Sequence, residues 1–264
     1  MEIIESSEAF KTVNGTFQFH CVKGIVRQDN VLYLAKWKDR RQKPFYFSQL
    51  YDVQLLETED RGPEVRPSWM VVPAYNCYVK TPSLFVYGGA ADLEKRILRE
   101  VETCEVLREH PHPNIASYYG CRDTRGRVSG LCFKQYTLTL LEKVNPKHLN
   151  KSAFLSSGRP LVNYGMKPCL DGILEGIRHL HSLGLVHNDI TPSNIMFDDD
   201  GTPVLIDFDS CRYVGESLRD TETKRTHEWH DPDVKTAMEK NDLDAFAELE
   251  TWLFGLSADE FLFK

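Results

Sequence analysis

Apolar and polar positions alternate through much of the first third of the chain. Residues 17–26 (FQFHCVKGIV) and 31–38 (VLYLAKWK) predict two strands joined by a turn through Gln28, Asp29 and Asn30. FYF at 45–47 and VQLLE at 53–57 predict further strands, as do WMVVP, YNCYVK and LFVY in the stretch up to Tyr87. Among them, RGPEVRP at 61–67 cannot continue a strand, because its prolines and glycine break the ladder. From Asp92 the period changes. Leu93, Ile97, Val101, Cys104 and Leu107 recur every three or four residues, which predicts an amphipathic helix starting near Asp92 and ended by Pro111. HPHPNIASYYG at 110–120 reads as a turn into a strand, RDTRG at 122–126 as a hairpin turn, and GLCFKQY at 130–136 as the strand after it. A second long helix is predicted over 161–183, with Leu170, Ile173, Leu174, Ile177 and Leu180 on one side, and a last helix over 242–254. The order is strands, helix, strands, helices, which predicts an α+β protein.

Composition narrows the class of protein. A chain of 264 residues, 41% of them hydrophobic, can bury the core of one large or two small domains. A net charge of -7 offers no general attraction to nucleic acid or anionic membranes, so neither is expected as a partner. No run approaches the roughly 20 apolar residues that cross a bilayer. The start, MEIIESSEAF, lacks the basic and apolar regions of a secretion signal. Seven scattered cysteines without a C-x-x-C pair fit reduced thiols in an intracellular protein, cytoplasmic or nuclear, and speak against a zinc site.

The densest chemistry lies in Leu185–Cys211, LVHNDITPSNIMFDDDGTPVLIDFDSC. An H-x-D-x-x-x-x-N element is followed by an apolar run and D-F-D, so Asp189, Asn194 and Asp207 supply three oxygen-bearing side chains in strand-like surroundings. Phosphoryl transfer needs such a set, one to position the attacking hydroxyl and two to hold metal ions. Burying the three without partners would be costly.

This stretch resembles the catalytic loop and metal-binding segment of the protein-kinase superfamily. HPHPNI and LEGIRHLHSLGLVHND resemble the segments that follow the family's regulatory helix and lead into its catalytic loop. The resemblance runs from about Tyr75 to Phe254, and the wording HNDITPSNIM, IDFDSCR and NDLDAF looks most like small fungal members. It implies a two-lobed fold: a strand-rich N-lobe with one long helix, and a mainly helical, shortened C-lobe. Residues 71–136 would form the N-lobe core and 137–264 the C-lobe, with 1–70 a strand-rich extension or part of the N-lobe.

The resemblance also implies roles. Asp189 would be the catalytic aspartate, with His187 packing its loop, and Asn194 and Asp207 would bind magnesium or manganese beside ATP. Lys80 in CYVKTPS would contact the nucleotide phosphates and pair with Glu100 in REVETCEVL; Lys36 and Glu102 are the rivals for those places. The segment from Lys134 to Thr137, including Tyr136, would hold adenine through backbone groups. The implied activity is transfer of the γ-phosphate of ATP to serine or threonine hydroxyls of protein. A nucleotide-binding or protein-binding scaffold of pseudokinase type, and a small-molecule kinase, are the alternatives.

The chain departs from the family pattern at several points. No G-x-G-x-x-G precedes Lys80. Asp209 stands where D-F-G has glycine, Thr191 replaces the basic residue two beyond the catalytic aspartate, and Asn188 replaces arginine in H-R-D. With Asn188 there, no phosphorylated activation segment is expected to be read by that residue. Residues 212–233 carry HEWHDPD in place of A-P-E, and Asp242 matches the aspartate that opens the large-lobe central helix.

Overall fold

The computed structural model describes residues 1–13, 16–29, 31–56, 62–73, 76–82, 90–219, 223 and 225–263. It forms two compact units, residues 1–62 with 82–94, and residues 63–81 with 95–264.

The first unit is built on an antiparallel meander of β1 (Glu2–Val13), β2 (Thr16–Gln28), β3 (Val31–Trp37) and β4 (Tyr51–Leu56), in that order. Cys21, Val22, Ile25, Val26, Ala35, Trp37 and Leu56 are buried on these strands. Gly24 is required by close approach, since a Cβ there would come 2.3 Å from the Trp37 ring. β1 has no counterpart in the apolar pattern: its sequence, EIIESSEAFKTV, is mostly polar, and the strand forms by pairing with β2 along almost its whole length. Phe45 and Tyr46 are not in a strand. Their N–H groups donate to Gln49 Oε1, and Phe47–Gln49 forms a 3-10 turn.

In the second unit, β5 (Tyr78–Lys80) leads towards the long helix α1 (Ala90–Glu109), whose first five residues belong to the first unit. β6 (Tyr118–Thr124) and β7 (Arg127–Phe133) follow, giving an antiparallel sheet ordered β5-β7-β6. The apolar stripe of α1 is buried as its period predicts, with Leu93, Ile97, Val101, Cys104 and Leu107 all inside. WMVVP forms no strand beyond a single bridge from Val71 to Cys121, in line with its irregular, proline-flanked setting. LFVY at 84–87 lies outside the described residues. The strand expected over 130–136 stops at Phe133.

Two short helices, α2 (Leu140–Val144) and α3 (Lys151–Ser156), come next; each is too short to show a period and is set by its cap, Thr139 or Asn150. The helix expected over 161–183 is α4 (Lys167–Ser182), entered through a 3-10 turn at Tyr164–Met166 capped by Asn163. Its Leu170, Ile173, Ile177 and Leu180 are buried. Gly176 lets it approach Asn114, where a Cβ would meet the backbone oxygen at 2.9 Å. β8 (Leu185–Val186), β9 (Ile195–Phe197), β10 (Pro203–Leu205) and β11 (Arg212–Tyr213) make two small antiparallel pairs, β9 with β10 and β8 with β11. α5 (Glu239–Phe254) closes the unit and packs against α4 and β8. The architecture is α+β, with a strand-rich amino-terminal part and a mainly helical remainder.

Candidate active site

The site is assembled in the second unit from β5, α1, the β8–β9 loop and the segment after β10. Lys80, on β5, extends its ammonium to two carboxylates at once, Glu100 Oε1 from α1 and Asp207 Oδ1 from beyond β10. Glu102, the rival acid, is exposed and bonds Arg66 at 2.7 Å, while Lys36 pairs with Asp52 in the first unit. One helix position decides between the acids: Glu100 lies on the buried side of α1, at 8% exposure.

One lysine among several acids sets the local electrostatics. Burial opposes the Lys80 charge, but the carboxylates of Glu100, Asp207 and Asp209 outweigh it and raise the lysine well above its ordinary value. Glu100 is pushed up to about 7, first by burial and then by Asp209 and Asp207, against the pull of Lys80.

The β8–β9 loop holds the remaining groups rigidly. Asp189 Oδ2 and its backbone carbonyl both accept from the Asn194 amide nitrogen at 2.9 Å. Asp189 Oδ1 accepts from the backbone N–H of Thr226 at 2.7 Å. His187 Nε2 donates to the Ile206 carbonyl at 3.0 Å, and its Nδ1 accepts from the Asp189 N–H at 3.3 Å, so the ring ties the loop to the strand that leads into Asp207. Beneath it Asp242, fully buried at the start of α5, accepts from the N–H groups of His187 and Asn188, both at 2.8 Å, and from His181 Nε2 at 2.9 Å.

Asn188 and Asp207 have φ of 64° and 66°, the left-handed region that asparagine and aspartate tolerate better than most side chains. Asn188 also donates to the carbonyls of Val186 (3.0 Å) and Ser210 (3.2 Å). It therefore fastens the loop to the segment after Asp207 through a neutral side chain.

A cavity of about 360 Å³ lies beside these groups. Ala116, Phe133, Met196 and Ile206 give it an apolar lining, and Lys80, Asn194 and Asp207 a polar one. Lys134 and Tyr136 line it as well; the Lys134 side chain pairs with Asp198, and the Tyr136 hydroxyl accepts from the Ser117 N–H at 3.1 Å. The volume and the mixed lining are those of a site for a small organic ligand with a charged end. Among the described residues, no cluster of three or more His, Cys, Asp or Glu is arranged to hold a metal ion by itself.

A family model described as the protein kinase domain matches residues 87–263, about two thirds of the chain. The chain belongs to the protein kinase family. Among similar kinase-family proteins, the serine/threonine-protein kinase Tao of Drosophila melanogaster is 29% identical over 186 residues, which cover 66% of this chain and 15% of that protein. The MAP kinase kinase kinase win1 of Schizosaccharomyces pombe is 31% identical over 123 residues, 47% of this chain and 8% of that protein. Myosin-IIIb of Mus musculus is 26% identical over 178 residues, 66% of this chain and 13% of that protein. The chain thus spans about 15% or less of the length of these relatives. The kinase match begins after Lys80, which is placed at the site by its ion pairs to Glu100 and Asp207 and by the cavity it lines.

Two contacts carried no sequence signal. The Thr226 contact to Asp189 is made by a backbone N–H, which any residue but proline could supply. The Asp198 contact to Lys134 crosses 64 residues, in a run of three aspartates where no one of them stands out.

Proposed function

We propose that this chain is an ATP-dependent phosphotransferase acting on serine or threonine hydroxyls of protein. The observation that carries the reading is the Lys80 ammonium held between Glu100 and Asp207 on the lining of a cavity that also receives Asn194, the residue bonded to Asp189. The serine/threonine preference is supported by the name of the Tao relative.

In this reading Asp189 orients the substrate hydroxyl and accepts its proton, and Asn194 and the Thr226 N–H keep its two oxygens in fixed directions. Lys80 faces the nucleotide phosphates, with Glu100 setting its position. Lys134 and Tyr136, with the apolar lining, meet the adenine. The residues also fit a divalent cation. The Asn194 amide nitrogen is committed to Asp189, which leaves its carbonyl oxygen as the natural donor, and Asp207 supplies a carboxylate. Magnesium commonly takes one or two such protein ligands and completes its shell with water and phosphate. Bound there, the cation would neutralise the triphosphate; manganese would serve the same donors.

Finer parts of the reading rest on the sequence. They are an affinity with small fungal kinase-like proteins, an intracellular location in cytoplasm or nucleus, and a division into an N-lobe core at 71–136 and a C-lobe at 137–264. No described helix is long and apolar enough to cross a membrane.

A second reading has an observation in its favour. Asp209 adds a carboxylate beside Lys80 and Glu100, which opposes the approach of a triphosphate and suits a scaffold that has lost transfer. Incubation with γ-labelled ATP and magnesium or manganese separates the two. Label incorporated by the wild type and lost in Asp207→Ala supports the enzyme; absence of label from a mixed peptide pool and from the chain itself supports the scaffold.

A further inference from the structure

A buried cluster between α3 and α5 takes no part in the proposed chemistry. Lys151, at the start of α3, is 6% exposed, and its ammonium bonds Glu248 Oε1 of α5, which is fully buried. The same ammonium donates to the backbone carbonyl of Glu228 and lies 4.6 Å from the centre of the Trp229 ring. Trp229 in turn packs edge-on against Trp252 of α5 at 5.8 Å. Glu248 Oε2 is occupied by the Leu262 N–H at 2.7 Å.

Glu228 has φ of 66°, the left-handed region that a glutamate adopts only under constraint. Its carbonyl is the one that Lys151 draws in, and Thr226, whose N–H fixes Asp189, is two residues before it. Within the same turn, the Trp229 N–H and His230 Nδ1 both donate to the Thr226 carbonyl, at 3.1 and 2.7 Å. The ammonium, the constrained turn and the aspartate thus form one connected chain of contacts.

We propose that Lys151 is a positioning residue: by holding the left-handed turn at Glu228 it sets the Thr226 N–H against Asp189, and so aims the carboxylate. The assignment to catalysis rests on the phosphotransferase reading; the aiming itself does not. A purely structural lysine would only neutralise Glu248. A positioning lysine also acts through the carbonyl of a residue whose backbone would relax without it.

The two roles separate in Lys151→Met/Glu248→Gln, which leaves no lone buried charge and keeps an oxygen for the Leu262 N–H. Hydrogen exchange at the Thr226 amide is the first readout. It is expected to accelerate at least tenfold over wild type, while amides of α4 keep their protection. The second readout is turnover: kcat falls by about 100-fold, the scale of a misplaced catalytic group, with KM for ATP unchanged. Adding Glu228→Gly, which adopts the turn without strain, is expected to restore both. Wild-type protection of Thr226 in the double variant overturns the proposal, and so does failure of Glu228→Gly to restore it. If the wild type transfers no phosphate while the exchange pattern follows this course, the positioning stands and the phosphotransferase reading falls.

Discussion

Asp242 gives the sharpest test of how the β8–β9 loop is held. Its two oxygens accept three hydrogen bonds, from the His187 and Asn188 N–H groups and from His181 Nε2, at 2.8, 2.8 and 2.9 Å, with no exposure to water. In Asp242→Ala all three donors lose their acceptor in a space closed to solvent. A hydrogen bond to a charged group contributes about 1.5–3 kcal/mol. Breaking a buried charged network by removing one member costs about 3–5 kcal/mol. The lower figure for each of three bonds gives about 4.5 kcal/mol, inside the second range, so the two routes agree.

For a chain of this size each kcal/mol moves the melting temperature by about 2–4 °C, so a fall of about 6–20 °C is expected. Asp242→Asn should fare little better, because its amide nitrogen would face N–H donors. Asn241→Ala is the control. Asn241 donates to Asn188 Oδ1 at 3.1 Å and to the Thr236 carbonyl at 3.0 Å from a partly exposed position, and its loss should cost about 1 kcal/mol or less. Calorimetry on the three variants measures the difference directly. If Asp242→Ala and Asn241→Ala melt within about 2 °C of each other, the loop does not hang on Asp242 and the reasoning fails.

Further outcomes follow from the same geometry. Glu100, ordinarily near 4.5 and here about 7, should take a proton as pH falls through 7 and release Lys80; a pH–rate profile should show turnover declining on that acid limb, and Glu100→Gln should abolish the limb. Its effect on stability has the opposite sign. The folded state binds the extra proton between 4.5 and 7, so this group's contribution is full below 4.5 and lost as pH rises through 7, measurable by denaturant titration across that window. Asp209→Gly removes one of the anions that raise Glu100 and should move the acid limb to lower pH; an unmoved limb would mean that burial and Asp207 account for the shift. Asn188→Gly keeps the left-handed backbone but loses the bonds to Val186 and Ser210, so it should destabilise by about 1–3 kcal/mol, and Asn188→Ala by more, as read by urea midpoints.

The order of strands and helices was legible because its signals are periodic. The stripe from Leu93 to Leu107 could only be a helix burying one face, and Leu170 to Leu180 repeats the argument. Elements without a periodic apolar pattern of their own were illegible. β1 exists through main-chain pairing with β2, which demands no apolar pattern, and α2 and α3 are too short for one. FYF at 45–47 shows the converse error. Apolar and aromatic content suggested a strand, yet Gln49, a polar neighbour, folds the segment into a turn. For the candidate site, the spacing of Asp189, Asn194 and Asp207 was visible, and so was the preference for Glu100 over Glu102; in the structure Glu100 lies on the buried side of α1 against Lys80, while Glu102 is exposed and pairs with Arg66.

The departures from the kinase pattern acquire a common logic once the contacts are compared. Where the family has arginine, Asn188 uses a neutral amide and a left-handed backbone to tie the loop to Ser210, with no unpaired positive charge to be neutralised later. Where it has glycine, Asp209 adds negative charge that Lys80 must share. Both substitutions make the site more acidic than the family pattern would. A more acidic site binds a bare triphosphate less well and a divalent cation better, so nucleotide affinity should depend steeply on metal. Titration of ATP by calorimetry, with magnesium and with chelator, measures that dependence. The difference should shrink in Asp209→Asn, because the substitution removes repulsion of the free triphosphate and leaves Asn194 and Asp207 in place. An equal difference in the two proteins would mean that Asp209 is screened from the phosphates and that its charge acts only on Glu100.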